Sequence, residues 1–356
     1  MSYLRILNLA LIALLASGVC SRAGLAAISP LYQPSPALEA ADLAVIVNDA
    51  DPLSRRIGEY YQVKRRIPAD QIIHVSFAPN RPVMSKQEFT ALKQKLDQRT
   101  PEAVQAYAIT WLQPFRVECM SITTALAAGF DSSFCAKGCQ QTRGNPYYAS
   151  ETDRPFKAHG WRPTMAVAGA TFEEAKRLID TGVAADYSQP KGAAYLLKTS
   201  DKARSSRAVL FPEIAKGLSQ FWPVYYLEQD YIAGRQDVMF YFTGLTKVPH
   251  IADNRYLPGA VADHLTSSGG VMSGSDQMNI QEWLRAGATG SYGAVVEPCN
   301  FPAKFSNPGV LMYFYLRGSS LIEAYWKSVA QPGQGIFVGE PLAKPFAYPP
   351  RVGAEH

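Results

Sequence analysis

The sequence has no block of basic residues and no apolar run long enough to cross a membrane. Of its 356 residues, 35 are Lys or Arg and 30 are Asp or Glu, so the formal charge is only +5. Nucleic-acid binding requires basic residues clustered on one face. A membrane-spanning helix requires roughly 20 apolar residues, whereas the N-terminal apolar run is Leu9–Leu15. The sequence therefore predicts no nucleic-acid partner and no transmembrane segment in the mature chain.

The N-terminus has the pattern of an export signal. Arg5 precedes the apolar run, and small residues at 23–27 offer cleavage points. We therefore expect a signal peptide at 1–27 and a periplasmic or extracellular mature protein, with the formal charge lowered by two arginines to about +3. Lipid attachment at Cys20 is the alternative. It is less favoured because Val19 stands where a lipoprotein signal needs a small residue.

Cysteine is scarce, and four of the five cysteines follow the predicted signal: Cys119, Cys135, Cys139 and Cys299. An even number in an exported protein predicts two disulfide bonds, and three pairings are open. Zinc binding is the alternative interpretation. However, the three-residue spacer between Cys135 and Cys139 is not the usual two, and the compartment is oxidising. The sequence therefore predicts disulfide bonds, with no metal and no cofactor.

Strand and helix patterns alternate along most of the chain, which predicts an α/β fold. We expect two adjoining, mostly parallel sheets covered by helices, because the mature chain exceeds the usual size of one core. The N-terminal half is assigned to 38–188 and the C-terminal half to 191–346. A cysteine-containing irregular insertion at 113–161 interrupts the first half. Ser54 is predicted to cap the first helix, and capping boxes begin three others at Ser85, Thr171 and Ser320.

Residues 238–299 combine two strand ends with a glycine-rich strand. One apolar strand runs into Thr243-Gly244, the next ends at Ala262-Asp263-His264, and a helix then leads to Gly287–Gly293. This order resembles that of gingipain-like and caspase-like cysteine peptidases, in which the first strand ends in His-Gly and the second in the catalytic Cys. Gly339-Glu340-Pro341-Leu342 also resembles the Gly-Asp-Pro segment of gingipain-like domains. The resemblance implies a caspase-like or gingipain-like fold for the C-terminal half.

A broader similarity extends from about Asp42 to Phe346, to a family of exported bacterial proteins of unestablished function. Its segments are Val45-Ile46-Val47-Asn48, Cys119-Met120-Ser121-Ile122-Thr123-Thr124, Leu265-Thr266-Ser267, Gly287–Gly293 and Val338–Leu342. The chain departs from the peptidase pattern at both catalytic positions. Thr243-Gly244 stands in place of His-Gly, and no cysteine lies between Cys139 and Cys299. Because a thiol dyad needs a thiolate and a base in hydrogen-bond reach, the resemblance implies a degenerate, non-peptidase relative.

Polar and small residues follow several predicted strands, where ligands collect in open α/β sheets. The candidate ligand-binding rim consists of Asn48, Asp49, Asp51, Ser54, Ser121, Thr243, Gly244, His264, Ser267 and Glu297. We expect these residues either to lie together on one rim or to form a separate rim in each half. A purely structural interpretation also fits, since the residues at 48–54 and Ser121 are of types that form turns and cap helices.

The leading hypothesis is an exported binding protein for a small molecule, a glycan or a partner protein. The alternative is an active extracytoplasmic hydrolase with a Ser/His or Cys/His constellation, built from Ser267 and His264 or from Cys299 and a histidine. Successive residues of a strand point to opposite faces, so Asp263 cannot orient His264 by adjacency. No catalytic residue is therefore assigned.

Overall fold

The computed structural model describes residues 37–136 and 138–349, so the predicted signal peptide and Cys20 lie outside the described residues. The first half begins with a strand, a helix and a second strand. Its elements are β1 (Leu43–Asn48), α1 (Pro52–Arg65), β2 (Ile72–Val75), β3 (Val83–Met84), α2 (Lys86–Arg99), β4 (Ala106–Ile109), β5 (Arg116–Val117), β6 (Met120–Ser121), α3 (Ile122–Ala128), α4 (Pro155–His159), β7 (Thr164–Ala166) and α5 (Phe172–Ala185). The predicted insertion thus contains short elements of its own, β5 to α4.

The second half repeats the alternation after the predicted boundary at 188–191. Its elements are β8 (Ala193–Lys198), α6 (Phe211–Leu218), β9 (Val224–Glu228), β10 (Val238–Thr243), β11 (Tyr256–His264), α7 (Gln281–Ala286), β12 (Gly290–Ala294), α8 (Pro308–Leu316), α9 (Leu321–Ser328) and β13 (Gly335–Gly339). In the described part of the chain, no helix is long and apolar enough to cross a membrane.

One large sheet runs through the whole molecule, in the order β2-β1-β4-β7-β13-β12-β11-β10-β8-β9. The predicted α/β class with mostly parallel strands is confirmed, but the division into two sheets is wrong. The two halves join because β12 and β13 pair, with Gly290 opposite Gly339 and Ala294 opposite Gly335. A small sheet, β3-β5-β6, lies apart from the main one.

The β12–β13 pair is antiparallel, whereas the other ladders described for this sheet are parallel. The sheet therefore consists of two groups of five parallel strands that run in opposite directions. The first group is β2-β1-β4-β7-β13 and the second is β9-β8-β10-β11-β12. In both groups the strand order reverses beside the first strand in sequence, between β1 and β4 and between β8 and β10.

Local capping explains where several helices begin. Ser320 forms the predicted reciprocal capping box with Glu323. Ser85 and Thr171 cap their helices by accepting hydrogen bonds from the amides three residues later, but their glutamates bond elsewhere: Glu88 to Arg81, and Glu174 to the Ala170 amide and Arg285. The first helix differs from the prediction, because Asp51 rather than Ser54 is its cap. The reason is Pro52, whose fixed φ and missing N–H suit the first helical position and move the cap to the residue before it.

Glycines allow the loop after β11 to pack directly on the sheet. A Cβ atom on Gly293 would lie 2.6 Å from the amide nitrogen of Gly270, and one on Gly270 would lie 2.4 Å from the carbonyl oxygen of Gly293. The Gly270 amide hydrogen-bonds to the Ala294 carbonyl at 2.8 Å. This contact is the close backbone approach expected of the glycine-rich strand.

All four described cysteines are paired within disulfide distance. Cys119 pairs with Cys135 inside the insertion, with their Cα atoms 5.4 Å apart. Cys139 pairs with Cys299, with a Cα separation of 5.5 Å, and so ties the insertion to the end of the β12 region. The pairing that the sequence left open is thereby assigned, and it fits a secreted, disulfide-bonded protein.

Candidate functional site

The strand directions divide the candidate rim between two edges of the sheet. Asn48 is the last residue of β1, and Asp49, Asp51 and Ser54 follow it at the carboxyl edge of the first group. Thr243, Gly244, His264, Ser267 and Glu297 follow strands of the second group and lie at the opposite edge, since the groups are antiparallel. Ser121 caps α3, and its Oγ accepts a hydrogen bond from the Thr124 amide.

At the first edge, Asn48 and Ser54 are fully buried and act within the fold. The Asn48 side chain accepts hydrogen bonds from the amides of Ala50 and Phe77 and donates to the Phe77 carbonyl. Ser54 Oγ accepts from the Asn48 amide at 2.9 Å and lies 2.6 Å from Thr110 Oγ1. These two side chains therefore join the ends of β1, β2 and β4, as the structural interpretation predicts.

Asp49 and Asp51 have different surroundings from their buried neighbours. The Asp49 carboxylate is about half exposed and lies 2.7 Å from His74 Nδ1. Asp51 accepts a hydrogen bond from the Leu53 amide at 2.9 Å as the cap of α1, and it also lines an open cleft. Asp51 therefore borders this cleft, whereas Asp49 and His74 line a separate cavity of about 400 Å³.

The cleft beside Asp51 has a volume of about 290 Å³. Its floor is formed by the chain after β1 and after β4, which is the point where the strand order of the first group reverses. In open α/β sheets this position is where ligands bind. The lining includes Asp51, Leu53, Asn80, Thr110, Trp111 and Gln113 from the first half, and Met272, Asn279, Gln281 and Arg285 from the loop and helix that follow β11. We call this feature the β1–β4 cleft.

Trp111 is the most distinctive residue of the β1–β4 cleft. It is 2% exposed, and its ring packs edge-on against Phe77 with centroids 5.0 Å apart. Its indole N–H makes no hydrogen bond within the described part of the chain. A buried N–H group normally has a partner, so this unpaired donor in a residue that lines the cleft is not accounted for by the fold.

Carboxamides provide most of the other polar groups of the cleft: Asn80, Gln113, Asn279 and Gln281. Gln113 donates to Ser273 Oγ at 3.0 Å. The side-chain oxygen of Gln281 accepts a hydrogen bond from Arg285 at 3.2 Å. Its side-chain nitrogen donates to the Met272 sulfur, a weak acceptor, at 3.3 Å. The cleft thus offers both donors and acceptors, and a stronger acceptor would bind better to Gln281 than the thioether does.

Arg285 is fixed at the mouth of the cleft by two carboxylates. Its Nε lies 2.9 Å from Glu174 and its Nη1 lies 2.6 Å from Glu282. Burial alone would raise the pKa of Glu174, but hydrogen bonds from Arg285 and from the Ala170 amide lower it below its ordinary value. This pairing joins α7 of the second half to the start of α5 in the first half.

The corresponding position of the second group, between β8 and β10, is filled by protein. Thr199 Oγ1 donates to the Gly244 carbonyl at 2.6 Å. A Cβ atom on Gly244 would lie only 1.9 Å from the carbonyl oxygen of Arg204. Thr243 is 1% exposed, and its carbonyl accepts from Arg207 at 3.0 Å. Gly244 is therefore required by its close packing against the Arg204 carbonyl.

His264 is buried and both of its ring nitrogens are engaged. Trp283 Nε1 lies 2.9 Å from Nδ1, and because an indole nitrogen only donates, Nδ1 must be an acceptor. The proton is then on Nε2, which donates to the Met278 carbonyl at 3.1 Å. Burial lowers the pKa of His264 to about 4. At neutral pH the ring is therefore uncharged, with no free nitrogen to accept a proton from Ser267.

Asp263 points away from His264, as strand geometry predicts. Its carboxylate is 1% exposed and lies 2.6 Å from Arg207, which is equally buried, and Ser306 donates to its second oxygen. Cys299 is bonded to Cys139, and the amide of Cys299 donates to the exposed Glu297 carboxylate at 2.7 Å. Glu297 therefore closes a local turn, and the described residues at this edge present neither a thiolate nor an available base.

Sequence reasoning identified Asp51 but missed most of the cleft. From the sequence, Trp111 is predicted only as the apolar end of a strand. Packing in the core explains a tryptophan at such a position without any functional role. Gln281 and Arg285 belong to a helix far along the chain, and no local pattern relates them to β1. Comparisons with protein-family models, with curated proteins and with solved structures find no match to this chain.

Proposed function

We propose that this chain is an exported, non-catalytic relative of the caspase-like and gingipain-like peptidases that binds a small hydroxyl-rich molecule, such as a sugar, in the β1–β4 cleft. The observation that carries this proposal is the cleft itself. It lies at the reversal of strand order and combines four carboxamides with an unpaired indole N–H.

The groups that line the cleft match hydroxyl chemistry. A carboxamide both donates and accepts, as a hydroxyl does, and Asp51 and Arg285 add one strong acceptor and one strong donor. The volume of the cleft is about 290 Å³. It lies at the lower end of the range for ligand pockets, which favours a single sugar unit over a long peptide.

The same geometry supports a binding role rather than a peptidase role. Hydrolysis by a thiol requires a thiolate, and hydrolysis by a hydroxyl requires a base. The Cys299 sulfur is in a disulfide, and His264 is neutral with both nitrogens bonded. The alternative is an active hydrolase that uses Ser267 with His264. The test below distinguishes this hydrolase from a binding protein.

The test is calorimetric titration of the purified mature protein with a panel of neutral monosaccharides and disaccharides. We expect saturable binding of at least one sugar and weaker binding by Trp111→Phe, which removes the N–H and keeps the ring. One neutral hydrogen bond corresponds to about a threefold to tenfold loss of affinity. Trp222→Phe is the matched control. Its indole N–H is also unpaired in the described part of the chain, but Trp222 packs against Phe240 and Phe346 outside the cleft.

Two results would contradict the proposal. The first is no saturable binding across the panel, or equal binding by the Trp111→Phe and wild-type proteins. The second is turnover of peptidase or ester substrates, or labelling by thiol or serine probes, that disappears in a Ser267→Ala/His264→Ala variant. That second result would establish the hydrolase alternative.

A further inference from the structure

A separate cavity of about 370 Å³ lies at the other end of β4, among α2, α3 and α4. Tyr107 of β4 and Phe156 of α4 form aromatic walls, and Arg162, just before β7, reaches into it. This cavity is at the amino end of the first group of strands, so the sheet separates it from the β1–β4 cleft. An inference about it does not depend on the proposed sugar site.

Arg162 is an unusually placed cation. It is 6% exposed, its Nε donates to the Val104 carbonyl at 2.9 Å, and its guanidinium carbon lies 3.3 Å from the centroid of Phe156. Within the described residues, no carboxylate oxygen lies within 4.0 Å of it. Buried charges are normally paired with an opposite charge, whereas the close partners of Arg162 among the described residues are the Val104 carbonyl, the Phe156 ring and the ring and hydroxyl of Tyr107.

The other charged groups of the cavity do not supply the missing partner. Lys93 holds Asp97 through both carboxylate oxygens, at 2.5 and 2.6 Å. Glu102 is exposed at the rim. Both carboxylates attract Arg162 across the cavity, but neither forms an ion pair with it, so solvent weakens both attractions. Burial raises the pKa of Tyr107 to about 12, so the phenol is neutral at pH 7, and it donates to Thr100 Oγ1 at 2.9 Å.

We propose that this cavity binds a small oxyanion, a carboxylate or phosphate group, on the guanidinium of Arg162. The planar guanidinium matches both groups through paired N–H donors. Stacking on Phe156 holds the guanidinium in place, and the cavity has room for a compact organic group beside it. The anion would provide the counter-charge that the protein itself does not.

The experiment titrates the full mature protein with inorganic phosphate and with citrate, while sodium chloride keeps the ionic strength constant. Binding is followed by calorimetry and by the shift of the thermal unfolding midpoint. We expect saturable binding of at least one anion to the wild type and a loss of affinity of about tenfold or more in Arg162→Met, since charge-assisted hydrogen bonds are among the stronger ones. Binding of phosphate but not citrate would show that the cavity prefers a phosphate group, and binding of citrate but not phosphate would show that it prefers a carboxylate.

Two further variants guard against a general charge effect or a folding defect. Glu102→Gln removes the rim carboxylate and should tighten binding, while Lys157→Met, an exposed cation outside the cavity lining, should leave it unchanged. Arg162→Lys keeps the charge without the planar donors and should bind more weakly than wild type while retaining its fold. No saturable anion binding by the wild type, or equal affinities in the wild-type, Arg162→Met and Arg162→Lys proteins, would overturn the proposal.

Discussion

Removing Asp263 should destabilise the protein severely, because it leaves a buried arginine without its counter-ion. Arg207 and Asp263 are each 1% exposed, and Arg207 Nη1 lies 2.6 Å from the carboxylate. Breaking such a pair from one side typically costs about 3–5 kcal/mol. Arg207 would keep the carbonyls of Ser306 and Thr243, both at 3.0 Å. Because neutral acceptors do not replace a charge, we expect Asp263→Ala to lie within that range.

Replacing both partners tests whether the loss comes from the unpaired charge. In Arg207→Met/Asp263→Leu no charge remains buried, and such replacements are often neutral or stabilising. The double variant should therefore be more stable than Asp263→Ala. The assay is urea unfolding at pH 7, followed by tryptophan fluorescence with the disulfides oxidised. A cost below about 1 kcal/mol for Asp263→Ala would refute this reasoning, and so would costs of Arg207→Met and Asp263→Leu that simply add in the double variant.

The pH dependence of Arg207→Met provides an independent check. Burial raises the pKa of Asp263 and Arg207 opposes that rise. Without Arg207, the folded-state pKa should lie well above the unfolded value of about 3.9. The folded protein then binds a proton that the unfolded chain has lost, so its stability should fall as the pH rises above about 4. Arg207→Met should therefore be less destabilised at pH 5 than at pH 7.5.

Two other predictions concern His264 and the cysteines. Burial lowers the pKa of His264 to about 4, from about 6.5 in the unfolded chain. The unfolded chain therefore binds a proton before the folded protein does, and the wild type should lose about 3 kcal/mol of stability as the pH falls from 6.5 to 4. Urea titrations at several pH values should show that His264→Gln lacks this component. A pH dependence unchanged by His264→Gln would contradict the buried, neutral assignment. Thiol titration of the denatured, unreduced mature protein should detect no free thiol, because Cys119–Cys135 and Cys139–Cys299 use all four cysteines. Two free thiols would restore Cys299 as a candidate nucleophile.

Features that depend on contacts within a few residues could be predicted from the sequence. Strand and helix order followed from hydrophobic periodicity, and the caps of α2, α5 and α9 followed from side chains three residues from the amides they bind. The opposite orientation of Asp263 and His264 followed from the two-residue period of a strand. The first helix shows the limit of this reasoning even locally, because Pro52 moved the cap from Ser54 to Asp51.

The way in which these elements meet depends on contacts between segments far apart in the chain. The sequence does not specify that β12 pairs antiparallel with β13, and this one pair merges the halves into a single sheet and places the candidate residues at opposite edges. The chemistry of His264 likewise depends on Trp283, 19 residues away. The β1–β4 cleft joins Asp51 and Trp111 to Gln281 and Arg285. Such contacts arise from packing between segments distant in sequence, and they cannot be inferred from local patterns in one chain.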